Sequence, residues 1–215
     1  MGVPVIRAMK ARFALAAATL AAATLFSADP VAYVLNGPTW SQPQTAYRIN
    51  TANLDLPALS AETAVRSGAN TWEQQSAAFR FVYSGPSSQT TNTNDGINLV
   101  MFRNASSGSA IATTYWWSSG SRIIDADIVF WDEAFRFFAG SSGCSGGFYI
   151  EDIAAHEFGH ALGLGHSTSP NATMYPSVSA CNMGNRTLDA DDIAGVRALY
   201  PGLLVSAPTG LRVVP

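Results

Sequence analysis

The chain has 215 residues, enough for one domain of ordinary size with a processed end. Charged residues make up 13% of it, about half the usual share, and acids outnumber bases for a formal net charge of −3. So weakly charged and acidic a chain offers no electrostatic footprint for nucleic acid or for an anionic membrane surface.

Residues 1–28 read as an export leader (a signal peptide). Arg7, Lys10 and Arg12 form a positive start, and Phe13–Phe26 is an uncharged apolar run too short to span a bilayer comfortably. Cleavage is expected between about 28 and 32. Removal of residues 1–28 would delete three positive charges and no acid, taking the net charge from −3 to −6. The mature chain is expected to be secreted and monomeric, with no membrane attachment and no nucleic-acid partner.

Tyr47–Asn50 is a short β-prone run. Ser60 is placed to cap a helix running to about Ala78, in which Ala61, Val65, Ala69 and Trp72 form one apolar stripe. Arg80–Tyr83 reads as a strand, residues 84–96 as a polar loop and Ile97–Phe102 as a strand. Ala110–Trp117 and Ile123–Trp131 are two further strands rich in β-branched and aromatic residues. Within the second, Asp125 and Asp127 alternate with apolar neighbours, as on a sheet with one wetter face. Residues 139–147 form a glycine-rich loop, and Ile150 to about Gly163 is a helix. Residues 172–177 hold a turn. Leu188–Tyr200 is a closing helix with Asp189, Asp191 and Asp192 near its positive end, stopped by Pro201 and Gly202. No repeat and no second domain is visible. Mixed strands and helix followed by helices predict an α+β fold.

The only three histidines, His156, His160 and His166, fall within eleven residues, in the pattern H-E-x-x-H-x-x-G-x-x-H. On a helix His156 and His160 lie one turn apart on one face, so both imidazoles can reach one ion. Glu157 points about 100° round the helix, beside the metal without being forced into its coordination sphere. His166 would face away if the helix continued. The chain must therefore turn, and Gly163 is the residue type that tolerates the left-handed conformation a turn requires. Three imidazoles leave the fourth position of a tetrahedral zinc ion open, the catalytic pattern rather than the structural one. A lone H-E-x-x-H is a weak signal. Here the third histidine and the glycine are both in place, and no histidine is left over for ordinary structural duty. The expectation is one catalytic zinc, with Glu157 as general base for a water molecule. Cys144 and Cys181 are an even pair in an exported chain, so a disulfide around the helix is expected.

Three stretches resemble the metzincin metallopeptidases, and within them the matrixins. His156–His166 matches the family's zinc-binding consensus. Thr173-Met174-Tyr175-Pro176 is similar to its Met-turn, whose methionine lies under the zinc as an apolar base. Leu188–Tyr200 is similar to the closing helix of matrixin catalytic domains. The resemblance covers roughly 40–202, so residues 33–202 are expected to be a zinc metallopeptidase catalytic domain of bacterial type. It implies a twisted mixed sheet with an edge strand above the cleft, an active-site helix, the Met-turn and a C-terminal helix. In such an arrangement a protein or peptide substrate pairs with Ala110, Ile111, Ala112, Thr113 and Thr114. The pocket wall would come from Tyr175 to Val178, Pro176 included. Animal matrixins carry a second, structural zinc, but the matching neighbourhoods here, Ala110–Tyr115 and Asp125–Ile128, hold no histidine. For calcium, Asp125, Asp127, Asp132 and Glu133 leave the donors for one site. The tail, residues 203–215, resembles the opening of a fibronectin-type sandwich.

The implied activity is endopeptidase action. Two other functions fit the same residues less well. A zinc-bearing binding or adhesion module would not need Glu157, and a zinc hydrolase of a non-peptide bond would not need a peptide-pairing strand.

Overall fold

A computed structural model of the chain describes residues 32–73 and 78–202. The expected leader at 1–28 and the tail at 203–215 lie outside the described residues. Five strands make one mixed sheet: β1 (Gln44–Asn50), β2 (Arg80–Pro86), β3 (Asn98–Arg103), β4 (Ala112–Ser119) and β5 (Arg122–Trp131), in the spatial order β2-β1-β3-β5-β4. Pairing is parallel from β2 through β5, and only the β4–β5 hairpin is antiparallel, which leaves β4 as an edge. Two two-residue strands, β6 (Phe137–Phe138) and β7 (Phe148–Tyr149), pair beside the sheet. Among the described residues three α-helices complete the α+β fold: α1 (Ala58–Glu73), α2 (Ile150–Leu162) and α3 (Ala190–Leu199). No described helix is long and apolar enough to cross a membrane.

The strands expected from β-branched and aromatic runs all form, with ends displaced by a residue or a few. α1 departs from expectation at its start. Ser60 does not cap it: the helix begins at Ala58, and the Pro57 carbonyl accepts the N–H groups of Ser60 and Ala61. A proline carbonyl is as good an acceptor as any, and the ring's fixed φ suits the entry to a helix. Ala78 lies outside the helix, its N–H on the carbonyl of Tyr200. The predicted stripe is correct, since Ala61, Val65, Ala69 and Trp72 are all buried.

The sheet's two faces are both covered. On one, Ile128 and Phe130 of β5 join Ile49 of β1 and Val100 of β3 in the main core against α1 and α2. On that side Phe158 of α2 packs among Tyr47 and Phe81, with ring centroids 5.1 and 4.7 Å away. Aromatic burial of this size fixes the rotation of α2 about its axis. The other face carries Leu99, Met101, Val129 and Trp131, a second, smaller cluster.

Asp125 and Asp127 share that second face, and the expectation of a wetter face fails. Both are fully buried. The loop before β3 folds over them: Asp95 and Gly96 donate N–H groups to Asp125 Oδ2 at 2.8 Å, and Thr93 donates to Asp127 Oδ2 at 2.9 Å. Leu99 N–H completes the set on Asp127 Oδ1 at 2.8 Å. Backbone donors replace water here, which is what permits carboxylates to be buried at all.

Burial nevertheless pushes the Asp127 carboxyl up to about 6 from its ordinary 3.8, against the opposing pull of the Leu99 and Thr93 N–H groups. The folded chain thus holds this proton more tightly than the unfolded one. The group's contribution to stability therefore rises as pH falls through about 6 toward 3.8. Over that window the melting temperature of the wild type should rise relative to that of Asp127→Asn. A difference between the two that does not move with pH would refute the raised carboxyl.

Candidate metal centre

α2 is almost entirely buried, and one strip of it faces a cleft. Its end is where the site is made. Gly163 adopts φ +106°, a left-handed conformation, and the turn closes with Gly163 N–H on the His160 carbonyl (2.9 Å) and Leu164 N–H on that of Gly159 (3.0 Å). A side chain at 163 would be strained by the backbone alone, and its Cβ would meet the Pro38 carbonyl at 2.7 Å. Two distant residues satisfy the carbonyls this ending orphans. Trp40 Nε1 donates to Ala161 at 2.8 Å, and the Tyr200 hydroxyl donates to Leu162 at 2.7 Å. Asn36 N–H holds the Gly163 carbonyl at 2.9 Å, and Gly165 N–H holds that of Val34 at 2.8 Å, so the first described segment runs antiparallel beside the chain that carries His166.

The three imidazoles converge. Nε2 of His160 lies 3.1 Å from Nε2 of His156 and 3.2 Å from Nε2 of His166. Nδ1 of His156 lies 2.7 Å from the Thr173 carbonyl, and Nδ1 of His160 2.8 Å from the Leu164 carbonyl. A carbonyl only accepts, so each of these Nδ1 atoms carries the hydrogen and each Nε2 presents a lone pair. Lone pairs crowded this closely repel one another unless a cation lies between them. Ligand bonds of about 2.0–2.1 Å to a tetrahedral zinc put neighbouring nitrogens about 3.3 Å apart, close to the observed spacings. The residues present therefore fit one zinc ion. Burial also pushes His156 and His160 down to about 4, keeping both rings neutral and able to ligate near pH 7.

Glu157 is buried beside them, and burial raises its carboxyl above the usual range, opposed by His160 and by Thr114. The Thr114 hydroxyl reaches it from β4, 2.6 Å from Oε2 and 3.0 Å from the Glu157 carbonyl oxygen.

Met174 lies under the site, fully buried. Its sulfur packs so closely on Gly159 that a Cβ there would overlap it and would also meet the Trp72 ring at 2.7 Å. The turn is held by Asp192 of α3, which accepts Thr173 N–H at 2.7 Å and Met174 N–H at 3.0 Å. The three acids at the start of α3 thus do more than complement its dipole. Asp189 caps the helix in a capping box with Asp192, and Asp191 reaches out to Ala32 N–H, Tyr33 N–H and the Ser167 hydroxyl. The helix starts at Ala190 rather than Leu188, because Asp189 takes the cap position.

A cleft of about 580 Å³ opens between β4 and this turn, with the three histidines and Glu157 along it. Ala110, Ile111, Ala112, Thr113 and Thr114 line one side, and Tyr175, Pro176, Ser177 and Val178 the other. All the residues expected to meet substrate are therefore at the cleft. β4 proper begins only at Ala112. Thr113 faces the cleft with its backbone, since its hydroxyl accepts Trp131 Nε1 on the sheet's other face at 2.9 Å. Sequence reasoning missed Trp116, Phe135, Phe148 and Ile153, which supply much of the apolar lining. Ile153 was detectable, being three residues ahead of His156 on the same helical face.

Among the described residues, the three histidines are the one group of three or more His, Cys, Asp or Glu side chains with ligand atoms all within 4.8 Å of one another. The acids considered for calcium do not gather. Asp125 and Asp127 are engaged by the loop before β3, Asp132 binds Leu54 N–H at 2.6 Å, and Glu133 is exposed.

Cys144 and Cys181 are bridged, with Cα atoms 5.6 Å apart, and Cys181 N–H also bonds the Gly147 carbonyl. The bridge ties the loop ahead of Phe148 to the segment just after Val178, and both of those residues line the cleft. It closes a 37-residue separation, for which chain entropy alone gives about 4 kcal/mol. Cys144→Ser/Cys181→Ser should therefore unfold at clearly lower temperature than the oxidised wild type. An unchanged melting temperature would mean that the bridge adds nothing to stability.

A sequence profile of the matrixins matches residues 39–201. The chain is 32% identical to human matrilysin over 166 residues, 77% of this chain and 60% of that protein. It is 31% identical to the hatching enzyme of Paracentrotus lividus over 180 residues, 80% of this chain and 28% of the other. A stretch of 48 residues is 52% identical to human neutrophil collagenase, covering 22% of this chain and 10% of that enzyme. The chain thus spans less than two thirds of the length of each of these relatives.

Proposed function

The chain belongs to the matrixin family, and on that footing we propose that it is a secreted zinc endopeptidase. Residues 33–202 are its catalytic domain, 1–28 an export signal and 203–215 a tail. The observation that carries the reading is the meeting of three Nε2 atoms, those of His156 and His166 lying 3.1 and 3.2 Å from that of His160, beside the buried carboxylate of Glu157 on the cleft.

His156, His160 and His166 hold the metal. A zinc ion held there would supply Lewis acidity, bringing the pKa of a water down toward about 7 and polarising a carbonyl. Glu157 takes a proton from the attacking water and returns it to the departing amine. The free edge of β4 offers unpaired backbone groups to an extended peptide, so Ala110–Thr114 align the substrate by main-chain bonds, while Tyr175 and Pro176 wall the side-chain pocket. The lining by Ile153, Phe148, Phe135 and Trp116 suits an apolar side chain there. A module kept for binding alone has no use for a buried carboxylate at Glu157, whose burial costs stability.

Incubation with a proteome-derived peptide mixture, followed by mass spectrometry of the products, tests the reading. Cleavage should vanish with a chelator and return with zinc. Glu157→Ala should keep its zinc and lose roughly 10²- to 10⁴-fold in kcat. Full-rate cleavage by Glu157→Ala would remove the assigned base, and zinc-loaded wild type that cuts nothing would remove the endopeptidase.

A further inference from the structure

Glu157 is a long side chain on a helix, and nothing in its own covalent structure fixes where its two oxygens lie. Each freely rotating torsion it must immobilise costs entropy, so a base held ready for reaction needs a partner. None of the ion pairs among the described residues involves Glu157. The partner is the hydroxyl of Thr114. Neither an ionised carboxylate nor a carbonyl can donate, so Thr114 Oγ1 gives its one hydrogen, and the short 2.6 Å separation to Oε2 marks that oxygen as the main acceptor.

Thr114 is itself rigid. Its backbone pairs with Ile128 of β5 in the β4–β5 hairpin, and Ile128 is buried in the main core. It is also the last residue of the stretch assigned above to peptide pairing.

We propose that Thr114 is a positioning residue for Glu157, its hydroxyl holding Oε2 so that Oε1 is the oxygen that receives the proton. One rigid strand then sets the place of both the scissile bond and the base that serves it. This role rests on the endopeptidase reading and refines it.

The test compares Thr114→Val, which keeps the shape and loses the hydroxyl, with Thr114→Ser, which keeps the hydroxyl. Each is measured for kcat and KM on a cleaved peptide, for bound zinc and for melting temperature. Thr114→Val should lose roughly ten- to a hundredfold in kcat, with zinc content and melting temperature retained and KM within about twofold. Thr114→Ser should recover most of that loss. Wild-type kcat in Thr114→Val overturns the proposal, as do equal losses in the two variants. A defect carried by KM alone assigns Thr114 to substrate binding, and zinc loss or unfolding in Thr114→Val makes it a structural prop; either result also overturns it. Wild-type chain that holds zinc without cleaving peptides fails at an earlier point, because it removes the endopeptidase reading itself.

Discussion

An α-helix can bring His156 and His160 to one point, but it cannot bring His166 there as well. Everything at the centre therefore depends on α2 ending just after His160, at Gly163. A helix that ends inside a protein leaves carbonyl oxygens without partners, and each one left unsatisfied would be costly. The molecule meets that demand from far along the chain, with Trp40 on Ala161, Asn36 on Gly163 and Tyr200 on Leu162. The first described segment and the end of α3 are thus both organised around the end of one helix.

The second level of support fixes ring orientation. Thr173 and Leu164 carbonyls hold the Nδ1 sides of His156 and His160, and the Thr173 carbonyl is in turn placed by a turn whose N–H groups sit on Asp192. Bonds to an ionised carboxylate are roughly twice as strong as neutral ones, so one buried acid on α3 anchors both Met174 and, through the turn, His156. Gly159 allows Met174 to approach α2 that closely.

The chain is poor in charge yet buries several of its acids, and each buried acid has a task. Asp125 and Asp127 gather the loop before β3, Asp152 takes Asn185 N–H at 3.1 Å beside the Arg186 guanidinium, and Asp192 gathers the Met174 turn. In each case a carboxylate replaces what regular secondary structure would otherwise supply: acceptors for the N–H groups of irregular backbone. A sequence shows the acids but not their partners. For that reason Asp125 and Asp127 read as the wet side of a sheet, and Asp191 and Asp192 as simple complements to a helix dipole.

Much was legible without coordinates, and for definite reasons. The spacing of the histidines, the glycine after them and the apolar stripe of α1 are local patterns governed by the period of a helix, which a sequence displays directly. The strands announced themselves by composition. What stayed hidden is non-local. Thr114 and Glu157 are 43 residues apart, Trp40 and Ala161 are 121 apart, and no local period connects them. The sequence alone determined that three imidazoles and a carboxylate stand at a spacing able to meet one ion. Only the tertiary structure decided which atoms aim them, because hydrogen-bond partners are selected by the packing of distant segments and not by their order along the chain.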